Sequence, residues 1–193
     1  MKFTVRFHDH TIRSFEHIIN SIGFPKTTIE IGCFEGESTF NISHICSQKY
    51  SDYKHYAIDP YDNSNDLPEE NISKTKEIFL NNLNEFQPKG VVEFIHKKSF
   101  DGLIELYNRG VKADFIYVDG DHEAPGVLQD MVLGFELLNP RGIMLCDDSM
   151  AWRIDDNPCN SPKMAVDNFI QCYWNKLKVF ELPSGYQTAI QKI

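Results

Sequence analysis

Three carboxylates and an imidazole, Asp119, His122, Asp147 and Asp148, stand at the ends of two apolar runs. Asp114-Phe115-Ile116-Tyr117-Val118-Asp119-Gly120-Asp121-His122 reads as a buried strand that delivers Asp119, with His122 three residues on. Gly142-Ile143-Met144-Leu145-Cys146-Asp147-Asp148 reads as a second strand that delivers two adjacent acids. Carboxylates gathered in one place repel one another unless a cation neutralises them, and hard oxygen donors suit Mg²⁺, Mn²⁺ or Ca²⁺. A bound cation lowers the pKa of a coordinated hydroxyl. An imidazole, with an ordinary pKa of about 6.5, is suited to remove the proton. The competing assignments are a polar surface residue for His122 and loop caps for Asp147 and Asp148.

A second segment, Ile29-Glu30-Ile31-Gly32-Cys33-Phe34-Glu35-Gly36-Glu37-Ser38-Thr39, reads as strand, glycine turn and helix start. Glycines there let the backbone approach a ligand, and the following helix offers unpaired N–H groups to an anion. The spacing is E-x-G-x-x-x-G. A dinucleotide site needs a third glycine for close helix–strand packing, and larger residues occupy that place. The segment therefore points to S-adenosylmethionine (SAM), whose carboxylate the helix start and the Ser38 hydroxyl can hold. Asp59, at the end of the next strand, can accept hydrogen bonds from a ribose. Glycines that only make a turn, and an Asp59 that only caps a strand, are the plainer explanation.

These residues need an α/β scaffold. The pattern predicts helices over 12–22, 37–48, 68–86, 100–108, 126–138 and 163–174. It predicts strands over 28–32, 54–58, 91–95, 114–118 and 142–146, with 178–182 and 186–191 as an antiparallel pair around Pro183-Ser184-Gly185. The expected fold is a Rossmann-like, doubly wound, mostly parallel seven-stranded sheet with an antiparallel C-terminal strand, in one domain over 1–193 with a short helical segment at 1–26. Ligands of such sheets bind outside the carboxyl ends of the strands. Residues ending near 32, 59, 119 and 147 should converge there, with Ser99 and Phe100 added from the strand ending near Ile95.

The formal net charge is -9, with 28 acids against 19 Lys and Arg. That argues against nucleic acid or an anionic membrane as partner. No apolar run reaches a membrane span of roughly 18 residues, and Met1 to Arg6 lacks a signal-peptide core. Cys33, Cys46, Cys146, Cys159 and Cys172 are scattered, with no C-x-x-C pair, which fits free thiols in a reducing cytoplasm. His8 and His10 read as surface residues of a short strand, and Asp155-Asp156 as solvated acids.

At four motifs, Glu30 to Thr39, Ala57 to Asp62, Asp114 to His122 and Gly142 to Ser149, the chain resembles the class I SAM-dependent methyltransferases. Within them it is similar to the metal-dependent small-molecule O-methyltransferases of the catechol and macrocin types. The resemblance implies that the first motif, through Gly32, Gly36 and Ser38, holds the methionine part of SAM, and Glu30 and Phe34 are expected among the cofactor-binding residues. It places ribose on Asp59, adenosine beside Pro60, Ser99 and Phe100, and Asp119 against both cofactor and metal. The metal ligands fall on Asp119, Asp147 and Asp148, and the catechol-type base, a lysine, falls on His122. The implied reaction is methyl transfer to a hydroxyl of a sugar, diol or catechol. The short N-terminal segment implies a shallower site or one completed by a second subunit, and a homodimer is the expected assembly. Residues 149–158 are long enough for a lid, with Trp152 placed against the substrate. A NAD-dependent oxidoreductase, a SAM-binding protein without transferase activity and a cephalosporin-hydroxylase-like enzyme are the alternatives.

Overall fold

The computed structural model describes residues 1–4, 9–62, 69–86, 91–150, 157–183 and 185–193. The helix-start residue Pro68, Trp152 with most of the lid segment, Asp155-Asp156, His8 and the turn residue Ser184 lie outside the described residues. Five strands, β1 (Thr27–Ile31), β2 (Lys54–Ile58), β3 (Val92–Ile95), β4 (Ala113–Val118) and β5 (Leu138–Cys146), run parallel. Strand β6 (Leu177–Phe180) forms the outer edge and β7 (Thr188–Lys192) inserts antiparallel between it and β5, giving the order β3-β2-β1-β4-β5-β7-β6. Helices α1 (Asp9–Ile22), α2 (Glu37–Ser47), α3 (Glu69–Phe86), α4 (Ser99–Asn108), α5 (Ala124–Leu137) and α6 (Pro162–Cys172) connect them.

Strand alternation divides the core. Ile116, Val118, Met144 and Cys146 face α4, α5 and α6 through Leu103, Leu106, Met131, Phe135 and Phe169. Phe115, Tyr117, Ile143 and Leu145 face α1 and α2 through Phe15, Ile18, Ile42 and Cys46. Covering both faces explains why the central strands read as nearly unbroken apolar runs. A third cluster joins Phe40 of α2 and Phe79 of α3 to Cys33 and Ala57. All five cysteines are unbridged, and among the described residues no helix is long and apolar enough to cross a membrane.

Two boundaries differ from the sequence pattern for physical reasons. Helix α1 begins at Asp9, so position 10 is helical and not part of a strand. Its first turn buries Thr11, a polar residue that hydropathy periodicity does not register. Strand β5 begins at Leu138, directly after α5, and pairs with Ala113 before its register shifts and resumes at Phe115↔Ile143. Gly142 permits that shift: a Cβ there would lie 2.9–3.0 Å from Leu138, the Asn139 carbonyl and the Asp114 carbonyl.

Candidate active site at the carboxyl ends of the strands

The turn after β1 forces the ends of β1 and β4 together. Gly32 adopts φ +84°, and a Cβ on it would lie 2.0 Å from the Asp119 carbonyl oxygen. Only glycine satisfies both demands. Phe34 also has a positive φ, 47°. Gly36, at φ +89°, caps α2 and makes no side-chain hydrogen bond to it; the N-terminus of a helix suits an anion.

Glu30 and Ser38 meet each other. Glu30 is fully buried. Its carboxylate accepts from the Ser38 and Thr39 hydroxyls and lies 3.1 Å from His55 Nε2. His55 Nδ1 in turn contacts Thr28 Oγ1 at 2.8 Å. This buried network pins the start of α2 to β1 and β2, and the Ser38 hydroxyl is engaged within it. Glu35, the next acid along, accepts from the backbone N–H and the hydroxyl of Thr4, so residues 1–4 lie strapped against the turn.

Asp59 stands at the end of β2. Its Oδ2 accepts from the N–H groups of Cys33 (2.8 Å) and Phe34 (3.2 Å), and its Oδ1 from Tyr61 N–H (2.8 Å). Burial raises its pKa above the usual carboxylate value, and the three N–H groups oppose that rise. Pro60 is anchored by its carbonyl, 2.8 Å from His96 Nε2. Tyr61 donates to the Phe34 carbonyl at 2.5 Å and packs beside Phe79 and Phe94. Ser99 opens α4, and Phe100 is 45% exposed on the same rim. Gly102 presses α4 onto β2, since a Cβ there would sit 2.7 Å from Ile58, the neighbour of Asp59. The structure thus brings Gly32, Phe34, Gly36, Asp59, Pro60, Ser99, Phe100 and Asp119 to one end of the sheet.

The two adjacent acids diverge. Asp148, at φ 48°, places Oδ2 3.3 Å from His122 Nε2, and Asp119 Oδ1 lies 3.9 Å from the same nitrogen. Asp119, His122 and Asp148 each offer a ligand atom, all within 4.8 Å of one another. Asp147 instead turns inward: Oδ2 accepts from Tyr117 Oη (2.7 Å) and Oδ1 from Gln187 Nε2 (2.8 Å). Gln187 also donates to Thr11 Oγ1 (3.0 Å), and Thr11 lies 3.0 Å from Tyr117 Oη, closing a ring of four side chains. Tyr117 Oη lies 3.0 Å from Asp119 Oδ2 as well. Burial, then the charges of Asp147 and Asp148, pushes the Asp119 carboxyl well above its usual range. A cation among these oxygens would relieve that repulsion, so the donor set fits one.

Sequence reasoning did not single out Tyr117, Gln187 or Thr11. Tyr117 was legible in principle: strand period puts residues 117 and 119 on one face. Gln187 and Thr11 reach the ring from the two ends of the chain, and no local pattern marks them.

The sheet order, with the antiparallel β7 and the acids at its carboxyl edge, is that of the class I SAM-dependent methyltransferases. Residues 29–149 match the family described as a methyltransferase domain, and the chain belongs to that family. A search of curated proteins finds no match. Among solved structures, the chain is similar to an O-methyltransferase from Bacillus cereus in complex with SAH (TM-score 0.68, 17% identity, covering 94% of this chain and 81% of that one). It is similar to the SAH-bound Podospora anserina methyltransferase PaMTH1 (TM-score 0.66, 18% identity, 98% and 80% covered). It is also similar to the Streptomyces achromogenes O-methyltransferase TomG, involved in tomaymycin synthesis, in complex with SAM (TM-score 0.67, 17% identity, 94% and 79% covered).

Proposed function

We propose that the protein transfers the methyl group of SAM to a hydroxyl oxygen of a small diol, catechol or sugar, with help from a divalent cation. The observation that carries this reading is the convergence of Asp119, His122 and Asp148, with ligand atoms within 4.8 Å of one another, on the edge where Gly32 meets Asp119. SAM would lie along that edge, with its carboxylate at the start of α2 and its adenosine between Asp59, Pro60 and the start of α4. Solved neighbours that carry SAM or SAH, the demethylated product, support SAM as the cofactor.

A cation held by Asp119 and Asp148, with Asp147 beside them, would lower the pKa of an acceptor hydroxyl. Mg²⁺, Mn²⁺ or Ca²⁺ suits the oxygens. His122 Nε2 faces the carboxylates and would take the hydroxyl proton. The imidazolium so formed would be stabilised by Asp148 and Asp119. The ring of Thr11, Tyr117, Asp147 and Gln187 would keep the acidic wall fixed while charge moves, so that positioning supplies much of the rate. The net charge of -9 supports a small-molecule acceptor over nucleic acid.

Titration calorimetry with SAM and SAH, with and without Mg²⁺ or Mn²⁺, tests the reading on wild type and Asp148→Ala. Wild type should bind SAH in the micromolar range. Asp148→Ala should keep that binding while a catechol loses its cation-dependent binding. A wild-type protein that binds neither SAM nor SAH would overturn the proposal.

A further inference from the structure

Phe34, in the turn after β1, and Tyr61, in the turn after β2, both have left-handed backbones, at φ 47° and 43°. Such a backbone is costly for a residue with a Cβ, and it persists only where the surroundings hold it. These two residues hold each other, through Asp59. Asp59 Oδ2 accepts from Phe34 N–H at 3.2 Å, Asp59 Oδ1 accepts from Tyr61 N–H at 2.8 Å, and Tyr61 Oη donates to the Phe34 carbonyl at 2.5 Å. Phe34 is thus gripped at both its N–H and its C=O. The gripping side chain is itself fixed, because the Tyr61 ring packs beside Phe79 and Phe94. Burial raises the pKa of its phenol, so the hydroxyl keeps its proton and stays a donor. The sheet does not need this cycle. Strands β1 and β2 pair from Thr27↔Lys54 to Ile31↔Ile58, and Gly32 N–H extends the ladder to the Ile58 carbonyl at 2.9 Å. The cycle acts instead on the entry to α2. Phe34 and Glu35 are the central residues of the turn that Gly36 N–H closes on the Cys33 carbonyl at 2.8 Å, and Gly36 caps that helix.

We infer that Tyr61 is a positioning residue whose hydroxyl holds the Phe34 peptide in the form that aims the start of α2 at the amino-acid end of the cofactor. This rests on the SAM reading above. The carboxylate that takes the ribose, Asp59, and the turn that leads to the SAM carboxylate are members of one hydrogen-bonded cycle. Without the Tyr61 hydroxyl, Asp59 still accepts from the N–H groups of Cys33 and Tyr61, so the ribose side keeps its geometry. The Phe34 carbonyl is released, and the turn is free to relax toward negative φ. The fraction of protein with a competent turn then falls, and the apparent affinity for any ligand that needs the turn falls with it. A ligand without the amino-acid end does not meet that cost.

The test compares SAH with 5′-methylthioadenosine, which keeps the adenine, ribose and sulfur and lacks the amino-acid end, by calorimetry. Tyr61→Phe keeps the ring and its packing and removes only the hydroxyl. It should weaken SAH by roughly tenfold, the scale of one hydrogen bond, and leave methylthioadenosine within roughly twofold. A double-mutant cycle with Phe34→Gly reads the mechanism from SAH alone. Glycine takes a positive φ without steric cost, so in the Phe34→Gly background Tyr61→Phe should change SAH affinity by no more than about twofold. A packing role alone would weaken both ligands in step and would persist in that background. Unchanged SAH affinity in Tyr61→Phe, equal losses for the two ligands, or a full loss in the Phe34→Gly background would overturn the inference and leave the SAM reading standing. A wild type that binds neither ligand would overturn both.

Discussion

Replacing Asp130 by Asn should change how stability depends on pH, and the structure sets the size of the change. The Asp130 carboxyl is buried without a well-formed partner, and burial raises its pKa from 3.8 to about 7. Between those two values the folded protein holds a proton that the unfolded chain has released. The group's contribution is therefore full below the unfolded value and is lost as pH rises through the folded one. Each unit is worth about 1.4 kcal/mol, so a rise from pH 5 to pH 8 should cost the wild type about 3 kcal/mol through this one group. Asn cannot ionise and escapes the cost. Urea unfolding of both proteins at pH 5 and pH 8, in EDTA so that the metal site is constant, reads the difference directly. The variant should gain on the wild type by about that amount at pH 8. Parallel pH profiles would refute the reasoning, because they would mean that Asp130 carries no proton in the folded state at neutral pH.

Three further outcomes are expected. Gly32→Ala should unfold at markedly lower denaturant, by about 3 kcal/mol or more, because it combines a positive φ with a backbone clash at the Asp119 carbonyl; equilibrium unfolding checks it. Glu30→Ala should cost about 3 kcal/mol in the same assay, since it strands the Ser38 and Thr39 hydroxyls and leaves His55 without its carboxylate neighbour. Tyr117→Phe removes the hydroxyl shared by Asp147 and Asp119 and should weaken cation binding, measured with Mn²⁺ by electron paramagnetic resonance, about tenfold while leaving SAH affinity within roughly twofold.

The sheet was legible because burial on both faces writes itself into sequence as short apolar runs, four of them closed by Gly32, Asp59, Asp119 and Asp147. Strand β2 has the same limits in sequence and structure, 54–58. The glycine turn was legible for a related reason: a positive φ and a backbone approach leave few residue choices at position 32. Side-chain direction was not legible. Ser38 opens a helix above the crevice, where an anion-holding role is natural, yet its hydroxyl donates to Glu30. The strand period puts Glu30 and Thr28 on one face, but nothing local in sequence says that His55 from the neighbouring strand lies beside both. Asp147 and Asp148 look equivalent in sequence. Their roles separate because a positive φ at Asp148 turns its carboxylate outward to His122, while Tyr117 and Gln187 hold Asp147 inside.

That separation shows what the antiparallel strand contributes. A fully parallel sheet would end beside β5 and leave the inner flank of Asp147 to solvent or to a helix. Inserting β7 between β5 and β6 pairs Thr188 with Cys146, the last residue of β5, and so sets Gln187, just before Thr188, beside Asp147. The Gln187 amide then reaches Asp147, and its second proton reaches Thr11 on α1. Tyr117 closes the ring from β4. The four side chains come from α1, β4, the end of β5 and the approach to β7, so the acidic wall is braced by segments from both ends of the chain. The ring needs no metal to form, because each of its contacts is between protein groups. It therefore fixes one acid before any cation arrives and leaves Asp119 and Asp148, with His122, as the groups that can respond to one. The sparse N-terminal segment thus plays a structural part, because its helix supplies the hydroxyl that completes the brace behind the candidate cation site.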